Sequence, residues 1–283
     1  MLTARGYFRD DAEIVRLASG VYDRVDFRWM LNGHPSLLSH GWRPETGFIR
    51  NRWDTYSEHL ILILLAVGSR NHSIPPASWR AWERRRITYA GYNYMHAHPP
   101  LFIHQFSHAW VDFRGWREGW YPFTDYFENS VLATRAHKAF CLSLSEEFPG
   151  YTENVWGITA SDSARGYVAW GGPPRTSQID GTITPCAAGG SLQFTPDITL
   201  PVLRELRERF GERIYGRYGF VDAFNPNNDW TNTDVIGIDI GITLLSAENL
   251  RTGNVWQWFM RNREIERAMR EVGLRRYRAR YSP

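Results

Sequence analysis

Trp53-Asp54-Thr55-Tyr56-Ser57-Glu58-His59 runs without a break into Leu60-Ile61-Leu62-Ile63-Leu64-Leu65-Ala66-Val67-Gly68. The second half is apolar almost all round, the mark of a helix buried on nearly every side. Asp54 stands where an N-cap belongs, so the pattern predicts a helix over Thr55–Val67. Glu58 would then sit one turn inside, at the helix's one wet end, flanked by Trp53, Tyr56 and His59. Partial desolvation raises a carboxyl pKa, which suits a general acid working near neutral pH. A second reading has Glu58 complementing the helix N-terminus or paired with an arginine such as Arg52. Both readings stand at this point.

Outward from that stretch, apolar spacing predicts mostly helices. Asp10–Leu31 reads as one, with Ile14, Leu17, Ala18, Val21, Val25 and Trp29 on one face. Pro75-Pro76 opens a helix over Ala77–Arg86, since prolines sit where helices begin. Tyr89–Phe123 is dense in aromatics and histidines without a clean period and reads as the wrapping of a pocket, with Ile103–Asp112 able to be helical. Thr124 caps a long helix through Glu147. Pro149–Thr195 is a Gly- and Pro-rich loop, and a loop that long inside a compact domain is usually functional. Helices then follow over Thr195–Phe210, Ile242–Arg251 and Asn262–Val272. Few strand signals appear, so the expected class is all-α, with long loops gathered at one end.

The 283 residues suit one domain, and no linker or low-complexity segment divides them. The formal charge of +3 comes from arginine almost alone, Lys138 being the only lysine. Arginines are interspersed with carboxylates except in the basic tail 275–283, and no basic stripe of the kind a nucleic-acid binder carries is present. The apolar run over Leu60–Val67 is too short to span a bilayer. Met1–Phe8 lacks the apolar core of a signal peptide, which leaves the compartment open. Cys141 and Cys186 are the only cysteines, and nothing in their setting argues for a disulfide. Aromatics reach 15%; such rings present flat apolar faces with a polar edge, suited to a sugar ring or to a dense core.

Six motifs in order carry a resemblance. They are Trp53-Asp54-x-Tyr56-Ser57-Glu58, Phe102-Ile103-His104-Gln105-Phe106-Ser107-His108-Ala109-Trp110-x-Asp112, Tyr126-Phe127-Glu128-Asn129-Ser130, Trp156-Gly157-Ile158-Thr159-Ala160-Ser161-Asp162, Tyr218–Asn225 and Val235-Ile236-Gly237-Ile238-Asp239-x-Gly241. Together they resemble the glycoamylase-like family, which includes bacterial endo-β-1,2-glucanases and a domain of cyclic β-1,2-glucan synthases. The resemblance runs from about Tyr7 to Gly273. It implies an (α/α)6 toroid of six helical hairpins with a carbohydrate cleft at one mouth, in a family often periplasmic or secreted. Family members carry further helices upstream, so the expectation is a single domain over 1–283 that begins in mid-toroid. A partner chain or self-association would then cover the missing part.

The resemblance places a general acid at Glu58 and its partner, the base, at Asp239. Asp239 interrupts the apolar Val235–Ile240 run, where a carboxylate is costly without a task; capping the Ile242 helix is the rival reading. Glycoside hydrolysis uses two such carboxyls. The expected separation is about 6.5–9.5 Å for simple inversion and wider with a relay. Asp162 and Glu128 are candidates for substrate hydrogen bonds, against turn formation and helix-end complementation respectively. His104, Gln105 and His108 are read as sugar contacts or braces. A zinc site at His104/His108 lacks the glutamate of the protease motif, Gln105 standing in its place, and no metal or other cofactor is expected. Trp53, Trp110, Trp156 and Tyr167 are stacking candidates or core, and Tyr56 is read as a substrate contact lining the pocket beside Glu58. Arg217 and Asp222 are read as an ion pair at the cleft floor or as hydroxyl contacts. Ser57 lacks a nucleophile elbow. The implied function is hydrolysis of a β-glucan, most specifically β-1,2-linked, and the alternative is a non-catalytic glycan-binding module or half of a split enzyme.

Overall fold

The structure is a computed structural model and describes residues 1–95, 100–175 and 178–278. His96, His98 and the last residues of the basic tail lie outside the described residues. Ten α-helices are described. The first five are α1 (Leu2–Tyr7), α2 (Ala12–Asp23), α3 (Leu60–Gly68), α4 (Phe106–Trp110) and α5 (Tyr126–Ser143). The others are α6 (Pro185–Gly189), α7 (Pro196–Phe210), α8 (Gly237–Arg251), α9 (Asn254–Met260) and α10 (Arg263–Glu271). No described helix is long and apolar enough to cross a membrane.

The chain forms two compact units built from interleaved segments. The first comprises Met1–Arg85, Trp110–Tyr126 and the stretch from Asn254 onward; the second comprises Arg86–Ala109 and Phe127–Gly253.

In the first unit α1 packs on α2 and α9, and α3 packs on α10. At Gly6 a Cβ would meet the Trp258 carbonyl oxygen at 1.8 Å, so only glycine lets α1 and α9 approach this closely. The helix of the Trp53–Gly68 stretch is present and buried at Leu60, Ile63, Leu64, Ala66 and Val67. It begins at Leu60, however, five residues later than the expected Thr55. The backbone before it is extended: Thr55 bridges Glu83, and the Asp54 carbonyl accepts the Glu83 N–H at 2.7 Å. These tertiary bonds take the backbone groups that a first helical turn would use.

The expected Asp10–Leu31 helix stops at Asp23. Asp11 caps it, its carboxylate accepting from Glu13 and Ile14 N–H at 3.0 Å. Its buried face is Ala18 and Tyr22, whereas Leu17 and Val21 are about half exposed. Tyr22 turns the helix that way, because its hydroxyl donates to the Leu65 carbonyl at 2.6 Å and so ties α2 to α3. Ala77–Arg86 is likewise no α-helix but a 3-10 turn over Pro76–Arg80.

In the second unit Arg86–Tyr89 pairs with Tyr92–Met95 in a hairpin, with Tyr89 opposite Tyr92. Ala90 and Gly91 both take positive φ, as a two-residue hairpin turn requires. Helix α6 packs on α7 and α8. The core gathers Phe140, Cys141, Tyr151, Val155, Trp156, Trp170, Ile183, Val202, Leu206 and Phe224, all buried. Helix α7 starts at Pro196 as the sequence predicts. The long Pro149–Thr195 loop contains α6, and α9 has no counterpart in the predicted helices. The helix after Thr124 ends at Ser143, and the Thr124 hydroxyl has no hydrogen-bond partner, so it does not cap. The all-α expectation needs one amendment: the protein is helix-rich with several two-stranded ladders, among them Leu274–Arg276 of the basic tail paired with Trp116–Glu118.

Candidate active site

Three carboxyl groups converge in the second unit. Asp222 is buried, on the loop just before the strand Phe224–Asn225. One of its carboxylate oxygens accepts the Asp162 backbone N–H at 2.9 Å and Asn232 Nδ2 at 3.1 Å. The same Asn232 amide reaches Asp162 Oδ2 at 3.2 Å, so a neutral donor bridges two acidic side chains. Asp239, in the first turn of α8, lies near enough to Asp222 and to the Cys186 thiol for both to act on its ionisation. Burial, then the neighbouring Asp222, push the Asp239 pKa up from 3.8 to about 7, while the Cys186 thiol opposes the rise. A helix N-terminus favours a carboxylate; here burial and the neighbouring acid outweigh it. Asp239 is thus poised to give or take a proton near neutral pH.

Tyr167 stands beside this cluster. It is 68% exposed, and burial together with the charges of Asp239, Asp222 and Asp162 raises its pKa. Its loop is held by pairing between Ser161 and Val168 and by the Trp170 indole N–H, which donates to Ser161 Oγ at 3.1 Å. The ring therefore presents an open face next to acids held in place.

In the first unit Glu58 lies in the turn before α3, half-buried, and accepts a hydrogen bond from the Ser57 hydroxyl. It stays at the entry of the buried helix, though outside the helix itself. Arg52 is not its partner; its guanidinium donates to the carbonyls of Leu31 and Leu37 at 2.8 Å and of Asn32 at 3.2 Å. An aromatic wall stands at this turn. Half-buried Trp53 lies 4.1 Å from the His40 ring and stacks on His59 at 5.3 Å. Trp82 meets His59 edge-on at 5.5 Å. His59 is 2% exposed, with neither ring nitrogen hydrogen-bonded; burial first, then the charges of Arg84 and His40, push its pKa down to about 3. It is a neutral ring at working pH. Behind the wall, Glu118 is fully buried and its Oε1 accepts from Tyr126 at 2.6 Å, Arg84 at 3.0 Å and Trp79 at 3.3 Å.

Several predicted contacts prove to be interior. Tyr56 is fully buried and stacks on Tyr126 at 6.3 Å, so it backs the wall and offers no face to a sugar. Trp156 is fully buried in the core of the second unit. Gln105 has no exposed surface and donates to the Ala187 carbonyl at 2.9 Å and Ser191 Oγ at 2.8 Å. His104 approaches Asn129 at 3.5 Å, and His108 approaches Ser130 Oγ at 3.2 Å. These three are braces inside the second unit. A 3-10 turn over Leu101–His104 and the start of α4 at Phe106 break the continuous helix expected there. No group of three metal-ligating side chains is set to hold an ion among the described residues. Arg217 is exposed on a hairpin, its guanidinium 5.3 Å from the Tyr218 ring, and forms no ion pair with Asp222. Asp222 has its neighbours in Asp162, Asn232 and Asp239 instead. Glu128 is exposed in the first turn of α5, and Trp110 is half-buried at the end of α4. Sequence reasoning missed Asn232 and Cys186 as partners of the acids. Both thiols are free and buried. A cysteine 53 residues from an aspartate carries no local signal of contact.

The family described as "Putative glucoamylase" matches residues 50–263, a span that includes Glu58, Asp162, Asp222 and Asp239. The chain belongs to this family. A curated relative, the exo beta-1,2-glucooligosaccharide sophorohydrolase (non-reducing end) of Parabacteroides distasonis, is 26% identical over 96% of the chain. The chain spans less than half of that relative, 42% of its length. Among solved structures, the endo-beta-1,2-glucanase of Chitinophaga pinensis, in complex with sophorotriose and glucose, superposes with a TM-score of 0.88 at 27% identity. That match covers 97% of this chain and 68% of the glucanase chain. A beta-1,2-glucanase from Parabacteroides distasonis also gives 0.88, at 25% identity, over 96% of this chain and 43% of its own.

Proposed function

We propose that this glycoamylase-family protein hydrolyses β-1,2-linked glucan, with Glu58 as general acid and Asp239 as general base, acting directly or through a water or hydroxyl relay. The observation that carries this reading is the Asp222–Asp239 pair: burial first, and then the neighbouring Asp222, raise the Asp239 pKa to about 7. Perturbed carboxyls of this kind cluster at functional sites. Similarity to two β-1,2-glucan hydrolases supplies the substrate class. Asp162 and Tyr167 beside the pair are suited to sugar hydroxyls and to a ring face respectively. Trp53 offers a second stacking surface beside Glu58. A proton-accepting Asp239 can deprotonate water at neutral pH, and a protonated acid must reach the glycosidic oxygen of the leaving sugar.

The test is incubation with linear β-1,2-glucan and short sophoro-oligosaccharides, following new reducing ends, with β-1,3- and β-1,4-glucans as controls. Cleavage confined to the β-1,2 substrates, abolished in both Glu58→Gln and Asp239→Asn, supports the assignment. No product from any β-1,2 substrate overturns it. Calorimetric binding of the glucan without turnover would make the chain a glycan-binding module.

A further inference from the structure

The first unit contains a cavity of about 560 Å³ in which five arginines, Arg5, Arg9, Arg70, Arg261 and Arg263, meet a single carboxylate, Glu264. That carboxylate is already committed. Arg5 forms an ion pair with it, and also donates to Asn262 Oδ1 at 2.6 Å and Ser19 Oγ at 3.1 Å. Arg261 donates to the Gly6 carbonyl at 3.0 Å, and Arg9 lies 3.7 Å from an almost fully exposed Asp10. Arg70 and Arg263 are exposed and make no hydrogen bond or close ion pair among the described residues, the Arg70 charge reaching Glu264 only at longer range. Arg263 is moreover the first residue of α10, where the helix dipole disfavours a cation. Stability alone would not place an arginine there.

We propose that this cavity binds a compact polyanion, a small molecule bearing two or more phosphate or sulfate groups, with Arg70 and Arg263 as its principal ligands. Guanidinium groups grip such oxyanions bidentately. The site is an open depression of small-molecule size, more localised than the extended basic stripe of a nucleic-acid surface. Its floor is rigid: Gly6 lies against the Trp258 backbone, and Arg5 joins α1 to α2 and α10. An occupant would therefore bridge elements far apart in sequence and stabilise the folded state by mass action.

The experiment uses tripolyphosphate and sucrose octasulfate as probes and inorganic phosphate as the monovalent-site control, in chelator-treated buffer. Titration calorimetry and thermal melting at low and high salt are the readouts. Binding is expected to raise Tm and to weaken as salt screens the charges. The double variant Arg70→Gln/Arg263→Gln is expected to lose about tenfold or more in affinity, in line with the strength of charge-assisted pairs, while its circular dichroism and its glucan cleavage stay unchanged. A preference for one probe identifies phosphate or sulfate as the recognised group. Absence of a Tm shift with every probe at low salt, or equal affinity of variant and parent, overturns the proposal. Neither outcome bears on Glu58 or Asp239, so the two assignments fail separately.

Discussion

Glu58 in the first unit and Asp239 in the second are carboxyls prepared in opposite ways. Glu58 stands at a turn walled by rings, with Trp53 stacked on a neutral His59 and Trp82 edge-on behind it. Asp239 is partly buried beside Asp222, and Asn232 joins Asp222 to Asp162. The contrast sets a carboxyl at a turn beside aromatic rings against one whose burial and neighbouring acid together raise its pKa. The second setting makes the acid depend in part on a neighbour that can be removed by one substitution.

The largest expected effects test whether both carboxyls do chemistry. Glu58→Gln and Asp239→Asn should each lower kcat on β-1,2-glucan by about 10²–10⁴-fold, the usual weight of a positioned acid or base. Full activity in either variant would remove that residue from the mechanism and end the comparison. Next, Asp222→Asn should take away the like charge while leaving the burial. The limb of the kcat/KM pH profile governed by Asp239 should then move to lower pH, by about one unit, yet stay above the value for a free aspartate. An unmoved limb would mean that burial alone sets it.

Stability against pH offers a smaller and sign-specific test. The Asp239 pKa rises from 3.8 to about 7 on folding. Its contribution is therefore present below about pH 4 and lost as pH rises through 7. Asp239→Asn, which resembles the protonated form, should be the more stable protein at pH 8, by on the order of 1 kcal/mol after allowance for its partial exposure. Denaturant midpoints across pH measure this. His59 has the opposite sign, its pKa falling from 6.5 to about 3. Its contribution is present above pH 6.5 and lost as pH falls toward 3, so His59→Phe should flatten the acid side of the stability curve. The smallest effect belongs to Tyr167→Ala. It should raise KM by roughly 2–10-fold, the worth of one stacked ring, without moving Tm, because that ring is largely exposed.

The run of apolar residues from Leu60 to Val67 could only be a buried helix, and the Thr195–Pro196 start of α7 follows from local chemistry. The same local rules misplaced the start of α3 and the buried face of α2. There the deciding bonds were long-range: Glu83 on Asp54 and Thr55, and Leu65 on Tyr22. Asp54 looked like a cap because caps are judged from neighbours in sequence, whereas its backbone was claimed by a strand bridge.

The candidate site divides along the same line. That Glu58 sits at the open end of a buried helix was legible from residue order, since hydrophobic periodicity is a property of the chain itself. Asp239 too was legible as a costly acid in an apolar run. What the run could not disclose was the neighbour that acts on it, Asp222 seventeen positions earlier. Nor could it tell that Tyr56, Trp156 and His108 are interior while Tyr167 is open, because burial belongs to the packed molecule. Residue order determines which groups are dear to bury; only the tertiary fold decides which neighbour meets that cost, since electrostatic and packing energies depend on distance through space and not along the chain.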